Sequence, residues 1–240
     1  MPLERSATPL VTVVIRTIGR PSLEEAIDSV IAQTYRPIEI LIVNASGEKL
    51  PEISAGALPV RVVGGDSPLN RPQAANVGLH NARGELIGFL DDDDYFKPDH
   101  IDSLVGTLRR TPWTRVAYSG VLFVTDDKRP FAQMNRPFDQ RALHEDNFIQ
   151  MGAALFCRTL VAEGAAFDET MENYQDWDFW LQLSQKTQFV HTGKVTVCWR
   201  AMSGHSGSGL GPNADHEIQR ACKQRVQAKW AAVRLGLAGG

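Results

Sequence analysis

Two uninterrupted runs of branched apolar residues bracket one amphipathic segment near the start of the chain. They restrict the fold more than any other feature. Residues 10–15 (Leu-Val-Thr-Val-Val-Ile) and 38–43 (Ile-Glu-Ile-Leu-Ile-Val) lack the polar alternation of a half-exposed strand. Such runs predict strands covered on both faces, as in a parallel sheet. Between them lies the loop Arg16-Thr-Ile-Gly-Arg-Pro21, and then Ser22 with Glu25 three residues on, a capping-box pattern. Leu23, Ala26, Ile27, Val30 and Ile31 follow at helical spacing and form one apolar stripe. Strand, helix and strand with short joins make a right-handed βαβ unit.

The pattern continues with a strand over 60–63, a helix over 73–82 and a strand over 85–90. The first 95 residues or so therefore predict a nucleotide-binding type of α/β fold, with its site in loops at the strand C-termini. The remainder is less regular. A helix starts at Pro98, with Ile101, Leu104, Val105 and Leu108 on one face. Strands are predicted over 116–124, 153–156 and 195–199, with a turn at 126–130 and a polar loop over 133–142. A helix over 175–185 turns Phe179, Trp180 and Leu183 to a core. After a Gly/Ser-rich stretch at 200–212, a closing helix over 214–233 carries a stripe of Ile218, Cys222, Val226, Trp230 and Val233. No composition shift separates two units, so both parts are expected to share one sheet.

The strand over 85–90 delivers four consecutive carboxylates, Asp91 to Asp94, to its C-terminal end. Like charges this close repel, and the neighbouring sequence supplies no cations to pair all four. A solvated loop that caps a helix is the bland outcome. A bound divalent cation is the functional one, because Mg²⁺ takes oxygen ligands, commonly one or two carboxylates plus substrate phosphates. In an extended chain Asp91 and Asp93 point one way and Asp92 and Asp94 the other.

Composition excludes several classes. A net charge of −3 and the absence of a long basic run give no case for nucleic acid. Three widely separated cysteines, Cys157, Cys198 and Cys222, suit buried thiols in a reducing compartment. No apolar run approaches membrane-spanning length. A cytoplasmic address is expected, and peripheral association with the inner face of a membrane stays compatible with it.

Four stretches then resemble a known family: Val11-Thr-Val-Val-Ile-Arg-Thr17; Ser29-Val-Ile-Ala-Gln-Thr-Tyr35 before Ile38; Ala74-Ala-Asn-Val-Gly78 through to Asp94; and Gln175-Asp-Trp-Asp-Phe-Trp180. In order and spacing they resemble the family 2 glycosyltransferases with the GT-A fold. The resemblance implies a mixed, mostly parallel central sheet with helices on both faces, in one domain over 1–240. It divides that domain into a nucleotide-sugar half (about 10–95), an acceptor and catalytic half (about 96–212) and a C-terminal helix (213–235). The activity implied is transfer of a sugar from a nucleotide diphosphate donor to a saccharide or lipid-linked acceptor, with inversion.

The resemblance also implies roles. Asp93 is the expected ligand of Mn²⁺ or Mg²⁺, with Asp91 and Asp92 toward ribose or sugar hydroxyls and Asp94 structural. Asp176 is the expected general base; its bland reading is an acidic residue favoured by the helix dipole. The family's usual Glu before that Asp is Gln175 here, and Asp178 is expected beside the site or in a surface ion pair. Thr17, Asn44 and Arg71 are expected near the donor, with bland loop roles as their alternatives. Arg200 and His205 resemble a loop that closes on the diphosphate, where Arg forks onto phosphate oxygens and a neutral His joins the metal. Asn44-Ala45 departs from the family's Asp-Asp, which leaves the nucleotide open among UDP, dTDP and GDP. Two rival readings are a non-catalytic nucleotide-sugar-binding module and a sugar-1-phosphate nucleotidylyltransferase. The second lacks its usual Gly-rich basic loop, since Arg16-Thr-Ile-Gly-Arg20 has one glycine.

Overall fold

The computed structural model describes residues 8–54, 56–171, 173–202 and 215–238. The βαβ expectation is met by β1 (Val11–Thr17), α1 (Leu23–Ile31) and β2 (Ile38–Asn44), with both strands buried along their length. Next come β3 (Val60–Gly64), α2 (Arg71–Asn81) and β4 (Leu86–Asp91). The strand order β3-β2-β1-β4 is parallel throughout. The order reverses between β1 and β4, and their C-terminal ends flank the crevice where open α/β sheets bind ligands.

The second half continues the same sheet. It contains β5 (Tyr95–Phe96), α3 (His100–Arg110), β6 (Val116–Val124), β7 (Pro130–Met134), α4 (Gln140–Glu145), β8 (Ala154–Cys157), α5 (Thr159–Ala162), α6 (Gln175–Ser184) and β9 (Phe189–Arg200). β8 joins antiparallel to β4, and β6 joins β8 and β9 to complete a nine-stranded mixed sheet. Finally α7 (His216–Lys229) and α8 (Ala231–Ala238) pack on the outside.

Strand alternation explains why β1 carries apolar residues on both faces. Val11, Val13 and Ile15 enter one core with α1 and α3, while Val14 enters the other with α2 and α6. These four aliphatic residues find apolar partners on whichever side they point, while Thr12 and Arg16 are buried against Glu39 and Asp91. The motif Ala74-Ala-Asn-Val-Gly78 follows from the same packing. A Cβ at Gly78 would lie 2.5 Å from Val14 Cγ1, so α2 approaches β1 more closely than any larger residue would permit.

Three local expectations change. Ser22 takes a helical backbone and makes no side-chain cap, so the box with Glu25 does not form; Glu25 pairs with Arg200 and Lys128 instead. A full capping box forms at Asn70 and Gln73, whose side chains and backbones bond reciprocally. The stretch 133–142, expected as loop, ends β7 and begins α4, which Asp139 caps by accepting from Ala142 N. The closing helix breaks at Trp230, and of its expected stripe Val226 alone is fully buried.

α6 is the best-anchored helix. Trp177, Phe179 and Trp180 are wholly buried, and the two indole N–H groups donate to Leu143 O at 2.6 Å and Ile149 O at 2.8 Å. Those bonds tie the 143–149 segment to α6 and set Asn147 beside its first turn.

Candidate functional site

Register places the first ion pair. Arg16 and Asp91 are direct neighbours on the parallel strands β1 and β4, and the Arg16 guanidinium donates to Asp91 Oδ1. It also donates to the Arg71 carbonyl at 3.3 Å. Beyond Asp91 the strand ends and the chain turns, with Asp94 N donating to Asp91 O at 3.1 Å. The extended alternation is therefore lost after the first Asp. A turn produces the same division in another way: Asp92 and Asp94 are buried, whereas Asp91 and Asp93 stay partly open.

Asp92 accepts from Thr17 Oγ1 at 2.6 Å, from Ile18 N at 3.3 Å and from Arg20. Thr17 is itself buried and braces that carboxylate, with Gly19 N donating to its hydroxyl. Asp94 accepts from Gln150 Nε2 and Arg200 N, each at 3.0 Å. Burial, reinforced by the charges of Asp93 and Asp91, pushes its carboxyl well above the usual range. Asp93 has the weakest compensation, with Arg20 Nη1 at 3.5 Å. Its pKa is pushed up to about 6, by burial first and by the charge of Asp91 second, against the pull of Arg20.

The cations thus come from far along the chain, a source invisible in the residues around the run. Arg20 was not singled out in the sequence; its place in the loop after β1, facing the end of β4, is the signal that marks it. Arg200, at the end of β9, donates to the Asp93 carbonyl at 2.6 Å, pairs with Glu25 and lies 5.2 Å from the Tyr95 ring centroid. It reaches the Asp run, and part of its hydrogen-bonding capacity is spent on holding that turn.

The residues fit a divalent cation through Asp93, a desolvated carboxylate whose charge Arg20 only partly balances. Among the described residues no group of three or more His, Cys, Asp or Glu side chains is arranged for a metal. One carboxylate completed by substrate phosphates and water is the Mg²⁺ mode that remains. His205 lies outside the described residues.

Asp176 sits in the first turn of α6. Tyr174 before it adopts the left-handed conformation (φ 58°), which turns the chain sharply into the helix. Asp176 accepts from Asn147 Nδ2 at 3.0 Å and Trp177 N at 2.9 Å. Burial raises its pKa; the Asn147 hydrogen bond opposes this without overcoming it. Two residues on, Asp178 is completely buried. Trp230 Nε1 donates to it at 2.8 Å, Gln182 Nε2 at 2.9 Å, and Lys229 Nζ lies 2.9 Å away. It clamps the end of α7 to α6: the expected ion pair forms, with Lys229, around a buried carboxylate rather than on the surface.

A cavity of about 360 Å³ collects residues from both halves, including Arg71, Asp91, Asn147, Gln150, Asp176 and Trp199. Arg71 reaches Asn173 Oδ1 at 3.4 Å, and burial pulls its pKa down against the attraction of Asp91. Asp93, Arg20 and Arg200 line a second opening beside Ile18. Asn44 is not brought to the carboxylates. Its amide donates to Glu48 O at 2.7 Å and accepts from Ser46 N and Oγ, and it lines a separate hollow at the β2–β3 edge.

Comparison with known proteins adds to this geometry. The family model described as Glycosyl transferase family 2 matches residues 12–163, which include the Asp run and stop short of Asp176. An uncharacterized glycosyltransferase of Bacillus subtilis, YwdF, is 29% identical, covering 88% of this chain and 80% of its own length. The uncharacterized protein y4gI of Sinorhizobium fredii is also 29% identical over 95% of this chain, which spans 27% of that relative. Residues 1–349 of S. aureus TarS, solved in complex with UDP-GlcNAc, superpose with a TM-score of 0.66 at 14% identity. That match covers 92% of this chain and 71% of the other.

Proposed function

The chain belongs to glycosyl transferase family 2 and has the GT-A fold. On that premise we propose that it passes a sugar from a nucleoside diphosphate donor to a saccharide or lipid-linked acceptor, inverting the anomeric centre. One observation carries the reading: a single cavity is lined both by Asp91, from the end of β4, and by Asp176, from the start of α6. The first stands on the side of the parallel sheet's switch point, where a nucleotide sits in such folds. The second is a carboxylate whose pKa burial raises.

Asp176 removes the proton of the attacking hydroxyl as that oxygen approaches the anomeric carbon from the face opposite the diphosphate. Asn147 holds one carboxylate oxygen, leaving the carboxylate oriented toward the cavity. Arg71 supplies positive charge in the same wall, suited to phosphate oxygens. Asp93 would hold Mn²⁺ or Mg²⁺, which when bound screens the negative charge that gathers on the departing diphosphate. One protein carboxylate is then enough, because a diphosphate leaves without the protonation that a hydrolase must provide.

The nucleotide stays open for a local reason. Ala45 is buried and apolar where the family motif it resembles has Asp, and Asn44 is occupied within its own loop. The TarS complexes with UDP-GlcNAc and UDP make uridine the first base to test. Titrating UDP, dTDP and GDP with and without Mn²⁺ tests the reading; no metal-enhanced binding of any of the three would sink it. We place the reaction in the cytoplasm. Three free cysteines suit a reducing compartment, and no described helix is long and apolar enough to cross a membrane.

A further inference from the structure

Gln175 stands immediately before Asp176 and lines the same cavity, and the proposed transfer reaction does not use it. Its side chain is 7% exposed, and its Oε1 is buried with no hydrogen-bond partner. A buried amide oxygen without a donor is a standing cost, and native structures keep few of them without reason. The surroundings prevent an easy escape. The left-handed turn at Tyr174 fixes the entry to α6, and the buried Trp177, Phe179 and Trp180 fix the helix behind it. The nearby amide of Asn147 is already committed to Asp176.

Another part of the cavity wall has a different character. Phe123 and Trp199, both half-buried, meet edge to face at 90° with ring centroids 5.0 Å apart, and Met134 lies beside them. Such a surface complements the C–H face of a sugar ring, whose rim carries the hydrogen-bond donors. Among the lining residues Asp91, Asp146 and Asp176 outnumber the one arginine, Arg71, which favours an uncharged ring over an anionic one.

Resting on the function proposed above, we infer that Gln175 selects and orients the acceptor. Its Oε1 accepts a hydrogen bond from an O–H or N–H of an uncharged sugar ring seated on Trp199 and Phe123. That bond turns a neighbouring hydroxyl toward Asp176. Gln175 is a positioning residue and takes no proton.

The test uses the full chain saturated with UDP and Mg²⁺, and the methyl β-glycosides of glucose, galactose and N-acetylglucosamine as probes. Saturation-transfer NMR is expected to show at least one glycoside bound, with the strongest transfer to its C–H face. Gln175→Met, close in size and without the acceptor atom, should weaken that binding about tenfold. It should leave the melting temperature equal or higher, because it removes an unpaired buried oxygen. Gln175→Glu keeps an acceptor and should stay within about threefold of wild type. The inference is overturned if no glycoside receives saturation from the wild type, or if Gln175→Met binds as wild type does. A lowered melting temperature in Gln175→Met would also overturn it, by showing a structural bond. UDP affinity, measured separately by calorimetry, distinguishes failure of the donor reading from failure of this one.

Discussion

The end of β4 and the start of α6 both present carboxylates to the same region, and they are compensated by different means. At the end of β4, Asp91 and Asp92 each have an arginine, Asp93 shares one, and Asp94 is pinned by an amide and a backbone N–H. At the start of α6, Asp176 has an asparagine and its neighbour's backbone N–H. Arginine at close range favours the charged form of a carboxylate, although burial and the neighbouring charges still push Asp93 up to about 6 and Asp94 well above the usual range. Hydrogen bonds from neutral donors fix an orientation while leaving the proton free to come and go. The first arrangement suits a place where a cation or a charged donor is held, and the second suits a base. Asp178 sharpens the contrast: two residues from Asp176 on the same helix, it is sealed against Lys229 and Trp230 and serves only to hold α7.

The strongest way to break the comparison is Asp176→Asn. It should lower transfer by roughly 10²–10⁴-fold while UDP affinity and the melting curve stay put. Normal turnover in a coupled UDP-release assay would return Asp176 to an ordinary helix-start residue. Asp93→Ala comes next: the Mn²⁺-dependent increment in UDP affinity should vanish with the fold intact, read by calorimetry with and without the metal. An increment that survives would move the metal elsewhere on the run.

Asp178→Ala should behave in the opposite sense, costing stability before activity. It strands the Trp230 N–H and the half-buried Lys229, and a loss of about 2 kcal/mol in denaturant unfolding is expected. An unchanged midpoint would show that α7 is not held there. A test away from both carboxylate groups is a pH dependence set by His100, which is buried against Thr196 Oγ1 at 2.8 Å with its pKa lowered to about 3 by burial. The folded value lies below the unfolded one, so the unfolded chain binds the extra proton. The stabilising contribution is complete above about pH 6.5 and declines on acidification toward 3 by about 1.4 kcal/mol per unit once the unfolded histidine is protonated. His100→Gln should flatten the acid limb of the stability profile; an identical limb would assign it to other groups.

Most of the fold was legible in the sequence. Buried strands cannot alternate when both faces are covered, so 10–15 and 38–43 announced a parallel core directly. The Asp run and Asp176 were legible as well, through the residues that surround them in each motif. α4 and the full length of β9 were not: 133–142 has no apolar period, and α4 is held by its Asp139 cap and by the bond from Trp177 to Leu143. The capping box at Ser22 failed because Glu25 is drawn away by Arg200, 175 positions distant. Local pattern gives way where a distant charge competes for the same side chain.

The sequence by itself determined the βαβ core, the delivery of four carboxylates to a strand end and the helix that carries Asp176. Each depends on periodicity or on residues a few positions apart. The tertiary structure decided which carboxylates are compensated and which are left open. Arg16 reaches the run from β1, Arg20 from the loop after it and Arg200 from β9, and Asn147 reaches Asp176 from beyond α4. Ionisation depends on burial and on charges within a few ångströms, and those distances exist only once the sheet has brought its strand ends together.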